Sequence, residues 1–235
     1  MEKNMKQHIM RAELEQMEEP KNGDFVARLT PGIDRRSILG VRNPALRKLA
    51  KKIAAEGNAE AFMDDLPHRY LEENMIHAYL ISSIKEFAAC IEQLERFLPY
   101  VECWNVTDAI RPKVVVKHTE EAEPILERWL ESDQPYTVRT AIGLYMAYYL
   151  DAAFSKDQAA RIAAMRSEEY YVRMMQAWYM ATGLAKQPEA ILPLLAEERM
   201  DSWTHNMTIR KAQESFRVPD ALKAQLKTMK RRTGE

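Results

Sequence analysis

The sequence predicts an all-α protein built as an α-solenoid, a row of stacked helical hairpins. Three observations carry that reading. Hydrophobic residues make up 46% of 235 residues and only 7 glycines occur, while Ala, Leu, Met, Glu, Lys and Arg dominate, a composition that favours helix over sheet. Apolar residues return with helical period in blocks of 11 to 18 residues, cut by Pro, Gly, Asn or Asp, and no hairpin or parallel-strand pattern competes. One short frame also recurs four times, a β-branched residue followed by a charged one: Thr107-Asp108, Val138-Arg139, Val172-Arg173 and Ile209-Arg210. Its spacings of 31, 34 and 37 residues match one helical hairpin per repeat, which stacks equivalent positions along one face.

The elements follow in order. A first helix spans 3–18 and is ended by Pro20, Asn22 and Gly23. Residues 24–42 are irregular, because Pro31-Gly32 interrupts the pattern begun by Phe25, Val26 and Leu29, and no long helix is expected there. Asn43 caps a helix with Pro44 at its first position and Leu46, Leu49 and Ile53 on its inner face. Further helices are predicted over 59–64, 68–83, 87–98, 103–117, 119–131, 134–149, 155–166, 168–185, 188–198, 204–216 and 219–231. The acidic 119–131 helix suits a convex face and the Arg-bearing helices a concave, basic one. A solenoid of this length forms one continuous domain over 1–235, with an atypical segment 1–42 and repeats over 43–232.

Net charge is only −1, so a polyanion partner must be argued from asymmetry. Residues 35–52 hold seven basic and no acidic side chains, and residues 207–232 hold eight basic against two acidic. Cys90 and Cys103 lack CxxC spacing and the five histidines are scattered, so neither a disulfide framework nor a metal site is expected. No apolar signal core or stretch of about 20 apolar residues occurs. The expectation is a cytoplasmic protein needing no cofactor or metal and contacting no membrane.

Trp104 and Asp108 are four residues apart, so they share one helical face. Core packing is the alternative for Trp104; for Asp108 the alternatives are a first-turn acid or a partner for Arg111. Arg139, Arg173 and Arg210 open the later inner helices, where Arg works against the dipole but suits a phosphate; an interhelical ion pair is the alternative for at least one, and Arg139 is placed to meet Asp108. Trp129 and Trp203 read as core or staple residues, and the Tyr145, Tyr148, Tyr149, Tyr170 and Tyr171 stripe as packing. With no phosphate-cradling Gly loop or GxSxG elbow, an enzyme built on this chain works with one carboxylate, aromatics and cations. That set suits an oxocarbenium-like transition state flanked by phosphates.

ILGVRNPALRKLAKKI (38–53), CWNVTDAIRP (103–112), YTVRTAIG (136–143), YYVRMMQAW (170–178) and NMTIRKAQESF (206–216) together resemble the AlkD-like DNA alkylation repair glycosylases, built from HEAT-like repeats. The resemblance covers nearly the whole chain in order. It implies hydrolysis of the N-glycosidic bond of N3- or N7-alkylated purines in duplex DNA, without drawing the base into a protein pocket. It places Asp108 as the carboxylate that stabilises the sugar cation and positions water, Trp104 and Trp178 against the deoxyribose, and Arg139 on phosphate or on Asp108. Arg173, Arg210, Lys211, Arg42 and Arg47 join Arg139 as candidate DNA contacts. Active members carry before residue 40 a second helix with aromatic and basic residues that touches DNA; here Pro31-Gly32 and Asp34-Arg35-Arg36 stand in that place, which resembles a branch lacking the helix. Two other readings stand beside the glycosylase: a non-catalytic protein binding distorted or branched DNA, and a helical-repeat scaffold for protein partners. A monomer is expected.

Overall fold

A computed structural model describes residues 10–232, and among these all regular structure is helical. The chain divides into two compact units, Met1–Lys117 and His118–Glu235. The helix expected over 3–18 falls partly outside the described residues; α1 occupies 10–15 and gives way to a turn at 16–17.

In the first unit, α2 (Pro20–Leu29), α3 (Asn43–Ala55), α4 (Ala59–Met63), α5 (Leu71–Ser83), α6 (Phe87–Phe97) and α7 (Trp104–Ala109) precede a 3₁₀ segment, Lys113–Lys117. Packing centres on α5, which touches α3 and α7 as well as α4 and α6. Its sequence explains this position: residues 71–73 and 75–81 are all buried, so apolar surface faces every neighbour. By contrast α3 buries one stripe, Leu46, Leu49, Ala50 and Ile53, and keeps its basic residues outside.

Two expectations fail in this unit. The first six residues of the segment taken as irregular, 24–29, belong to α2, and Pro20 starts that helix rather than ending the previous one. The reason is chemical: a first-turn residue has no helical acceptor for its amide, so proline costs nothing there and its fixed φ favours helix entry. Gly23 is not a breaker either. It is buried inside α2, and a Cβ on it would meet Arg35 Nη2 at 2.7 Å. A helix thus stands before residue 40 where none was expected, and it exposes Phe25 and Arg28. The single helix expected over 103–117 is likewise broken. Ile110 turns extended after α7 and Pro112 follows, while Ser82 Oγ accepts the freed Arg111 amide at 2.8 Å.

The second unit comprises α8 (Thr119–Leu130), α9 (Pro135–Tyr148), α10 (Lys156–Ala164), α11 (Tyr170–Lys186), α12 (Pro188–Ala196), α13 (Ser202–Glu214) and α14 (Asp220–Thr228). Helices α9, α11 and α13 pack side by side as an inner row, with α8 against α9, α10 and α12 against α11, and α14 against α13. That is the hairpin arrangement the repeat predicts. The recurring β-branched position is the inward one in both units: Thr107, Val138, Val172 and Ile209 are all buried. Tyr145 and Tyr149 are packing residues as expected, donating to Glu127 Oε1 and to the Thr119 carbonyl at 2.6 Å each and so clamping α9 to α8. Trp129 is core. No helix is long and apolar enough to cross a membrane among the described residues.

One frame is out of register. Asp108 and Arg139 are each fifth in their helices and Arg173 fourth. Arg210 is ninth in α13 and does not open it. The helix expected to begin at 204 begins at Ser202 instead, because Asp201 accepts from the Trp203 and Thr204 amides at 3.0 Å each and caps it.

Candidate active site

In the first unit a cleft of about 520 Å³ is lined by α2, the 41–44 turn, α3, α5 and α7. It brings together four of the predicted residues, Asp108, Trp104, Arg42 and Arg47. Asp108 and Trp104 line it from α7, as their four-residue spacing requires. Core packing does not account for Trp104: it is half-buried, and its indole Nε1 donates to the Leu29 carbonyl at 2.9 Å. That bond joins the C-terminal end of α2, where carbonyls lack helical partners, to the aromatic wall beside Asp108.

The cations at the mouth differ in freedom. Arg42 is exposed and ion-paired with Glu19 at 2.9 Å, a surface pair that contributes little and exchanges readily. Arg47 lies over the Tyr79 ring, 4.2 Å from its centroid. Burial raises the Tyr79 phenol pKa, and the nearby Arg47 only partly offsets this.

A second carboxylate, Glu72, shares the cleft wall and has a different task. It is 3% exposed and accepts the Gly40 amide at 2.7 Å and the Leu39 amide at 3.1 Å. Burial pushes its pKa up, with the amides of the 39–41 segment pulling the other way. Glu72 therefore holds backbone in place, whereas Asp108 lines the cleft from α7.

In the second unit the arginines occupy three environments. Arg139 is 3% exposed, and its Nη1 donates to the Tyr171 carbonyl at 2.7 Å. Arg173 Nη2 meets Asp201 Oδ1 at 2.7 Å and its guanidinium lies 4.5 Å from the Trp203 ring centroid. Burial raises the Asp201 pKa, but bonds from Thr204 and Arg173 outweigh it and hold the carboxyl below its usual range. Arg139 and Arg173 thus each reach the start of the next inner helix. Arg210 is exposed and pairs with Glu214 of its own helix at 3.2 Å. Trp178 is 40% exposed, with Lys211 Nζ 5.8 Å from its ring centroid; both line a separate hollow of about 550 Å³.

Sequence reading missed Asn22, Val26 and Leu29, which form the α2 wall of the first cleft. Their spacing of four and three residues is a helical face, legible once Pro20 is taken as a start. Tyr79 and Glu72 had no such signal, since both lie within a helix buried on all sides. Among the described residues no group of three or more His, Cys, Asp or Glu side chains is placed to hold a metal ion.

The model of a family described as DNA alkylation repair enzyme matches residues 10–216. No curated protein matches the chain significantly.

Proposed function

The chain belongs to the DNA alkylation repair enzyme family, and from that premise we propose that it hydrolyses the N-glycosidic bond of N3- or N7-alkylated purines in duplex DNA. The observation that carries the reading is the position of Asp108 in a cleft with Trp104, Arg42 and Arg47. Alkylation at N3 or N7 gives the purine a positive charge. Cleavage returns the bonding pair to the base, which leaves neutral, and the charge passes to the deoxyribose as an oxocarbenium ion. A carboxylate in a partly desolvated cleft stabilises that ion more than water does, and the π-face of Trp104 adds to it. Water held by Asp108 then adds to C1′ and releases one proton, leaving an abasic site. Water is the only co-reactant.

Arg42 and Arg47 supply phosphate contacts at the mouth of the cleft, with the weak Arg42–Glu19 pair yielding to the polyanion. In this proposal Trp178 contacts deoxyribose, Arg139 holds phosphate or orients Asp108, and Arg173, Arg210 and Lys211 are further backbone contacts. Arg173 is the most committed of these, through Asp201.

Asp108→Asn is expected to abolish release of 7-methylguanine and 3-methyladenine from alkylated DNA while duplex affinity stays near wild type. Wild-type protein that releases no base above the buffer blank refutes the glycosylase. If that protein prefers a junction to a duplex in gel shifts at two salt concentrations, the non-catalytic branched-DNA reading takes its place.

A further inference from the structure

The stretch from Arg35 to Lys52 holds seven cations and no carboxylate, and the fold accounts for four of them. Arg35 pairs with Asp24, Arg36 with Asp34, Arg42 with Glu19 and Lys52 with Glu13, at 2.7 to 2.9 Å. Arg47, Lys48 and Lys51 make no ion pair among the described residues. Arg47 and Lys51 are one turn apart on α3, where like charges repel and work against the helix.

Both line a second cavity of about 490 Å³ that adjoins the Asp108 cleft. The two cavities share Arg47, Tyr79 and Ala109, so the Arg47–Tyr79 stack is the ridge between them. Two more cations, Arg111 and Lys113, face the second cavity, and no Asp or Glu lines it. Arg111 is preset: its Nη1 donates to the Ile110 carbonyl at 2.6 Å and the Thr107 carbonyl at 3.2 Å. Ala50, Ala54 and Leu80 contribute apolar wall, which limits screening of these charges.

We infer that this cavity is a phosphate subsite for the lesion-bearing strand, in which Arg47, Lys51, Arg111 and Lys113 hold a backbone phosphate next to the nucleotide presented to Asp108. The inference rests on the DNA reading above for the identity of the ligand. Four cations repel the positively charged alkylpurine and attract a phosphodiester. The cavity therefore discriminates between the two charged parts of the substrate, and Arg111 does so from a position three residues along the chain from the carboxylate. Backbone contacts of this kind fix register without reading sequence.

The test is binding of full-length protein to unmodified duplex DNA, followed by anisotropy across a salt series. Lys51→Ala/Lys113→Ala is expected to raise Kd about five- to tenfold at low salt and to make the slope of log K against log[salt] shallower by about 0.9, one phosphate contact. Lys51→Arg/Lys113→Arg is expected to keep both values, which excludes misfolding as the cause. An alanine variant with wild-type Kd and slope overturns the subsite, as does wild-type protein that binds no duplex. Loss of slope in a protein that releases no alkylated base sinks the glycosylase and leaves the subsite standing.

Discussion

Gly40 offers the sharpest test of how the cleft is built. It has φ +83°, and a Cβ placed on it would lie 2.3 Å from the Gly23 nitrogen and 2.4 Å from the Glu19 carbonyl oxygen. Both atoms are backbone, so no side chain can swing away. Gly40→Ala therefore incurs left-handed strain of about 1–2 kcal/mol and overpacking of about 1–3 kcal/mol as α2 is pushed outward. The shift also loosens the Asn22 Nδ2 bond to the Gly40 carbonyl and the Gly40 amide bond to Glu72, at 2.6 and 2.7 Å, for about 1 kcal/mol each. The expected loss is about 4–7 kcal/mol, a large share of the stability of an ordinary domain. Gly57 is the control: its φ is +71°, but a Cβ there would meet nothing within 4 Å, so Gly57→Ala incurs only the strain of about 1–2 kcal/mol. Urea midpoints of the two variants measure the difference, and hydrogen exchange at residues 20–29 locates it. Equal losses in the two variants, or unchanged protection of α2 in Gly40→Ala, refute the close-approach argument.

Two further outcomes follow from ion pairs and buried rings. Asp201→Ala removes the cap of α13 together with the Arg173 partner and is expected to lower stability by about 1–3 kcal/mol; a urea midpoint matching wild type would contradict it. His68 Nε2 and His77 Nδ1 are 2.8 Å apart, and burial depresses both rings, His68 to about 4 and His77 to about 2. Arg11 acts in the same direction on His68 and Arg96 on His77, while Asp64 opposes it. Unfolded histidine takes up its proton near pH 6.5, so between 6.5 and 4 the unfolded chain binds more protons than the folded one. Stability is therefore full above pH 6.5 and declines below it, by on the order of 2 kcal/mol at pH 5 from His68 alone. His68→Gln should flatten that decline, and parallel pH curves for the two proteins would rule the pair out as its source.

The fold was legible where periodicity and punctuation agreed. Asn43-Pro44 and the stripe Leu46, Leu49, Ile53 located the start of α3 within one residue, with Arg42 rather than Asn43 at the cap position, and the β-branched frame identified the inward position of four helices. Punctuation misled where one residue type carries two meanings. Pro20 marks a start here and Pro112 follows a stop, yet only the neighbours' bonding tells them apart. At the site, Asp108 and Trp104 were legible because their spacing is a single turn. The tether from Trp104 to Leu29 was not, since its acceptor is a backbone carbonyl 75 residues away. Arg173 shows the limit of the dipole argument: a guanidinium in a first turn is set against its own helix but serves the next, by pairing with the Asp201 cap.

The fastening of α2 has a consequence for how this helix can change over time. The helix is held mainly through main-chain atoms and residues outside it: the Leu29 carbonyl takes the Trp104 indole, the Gly23 backbone meets Gly40, and Asn22 reaches the Gly40 carbonyl. Lys21, Phe25 and Arg28 stand on its exposed side and carry none of these bonds. Substitutions there leave these fastenings untouched, so selection can vary the outer face of α2 almost independently of foldability.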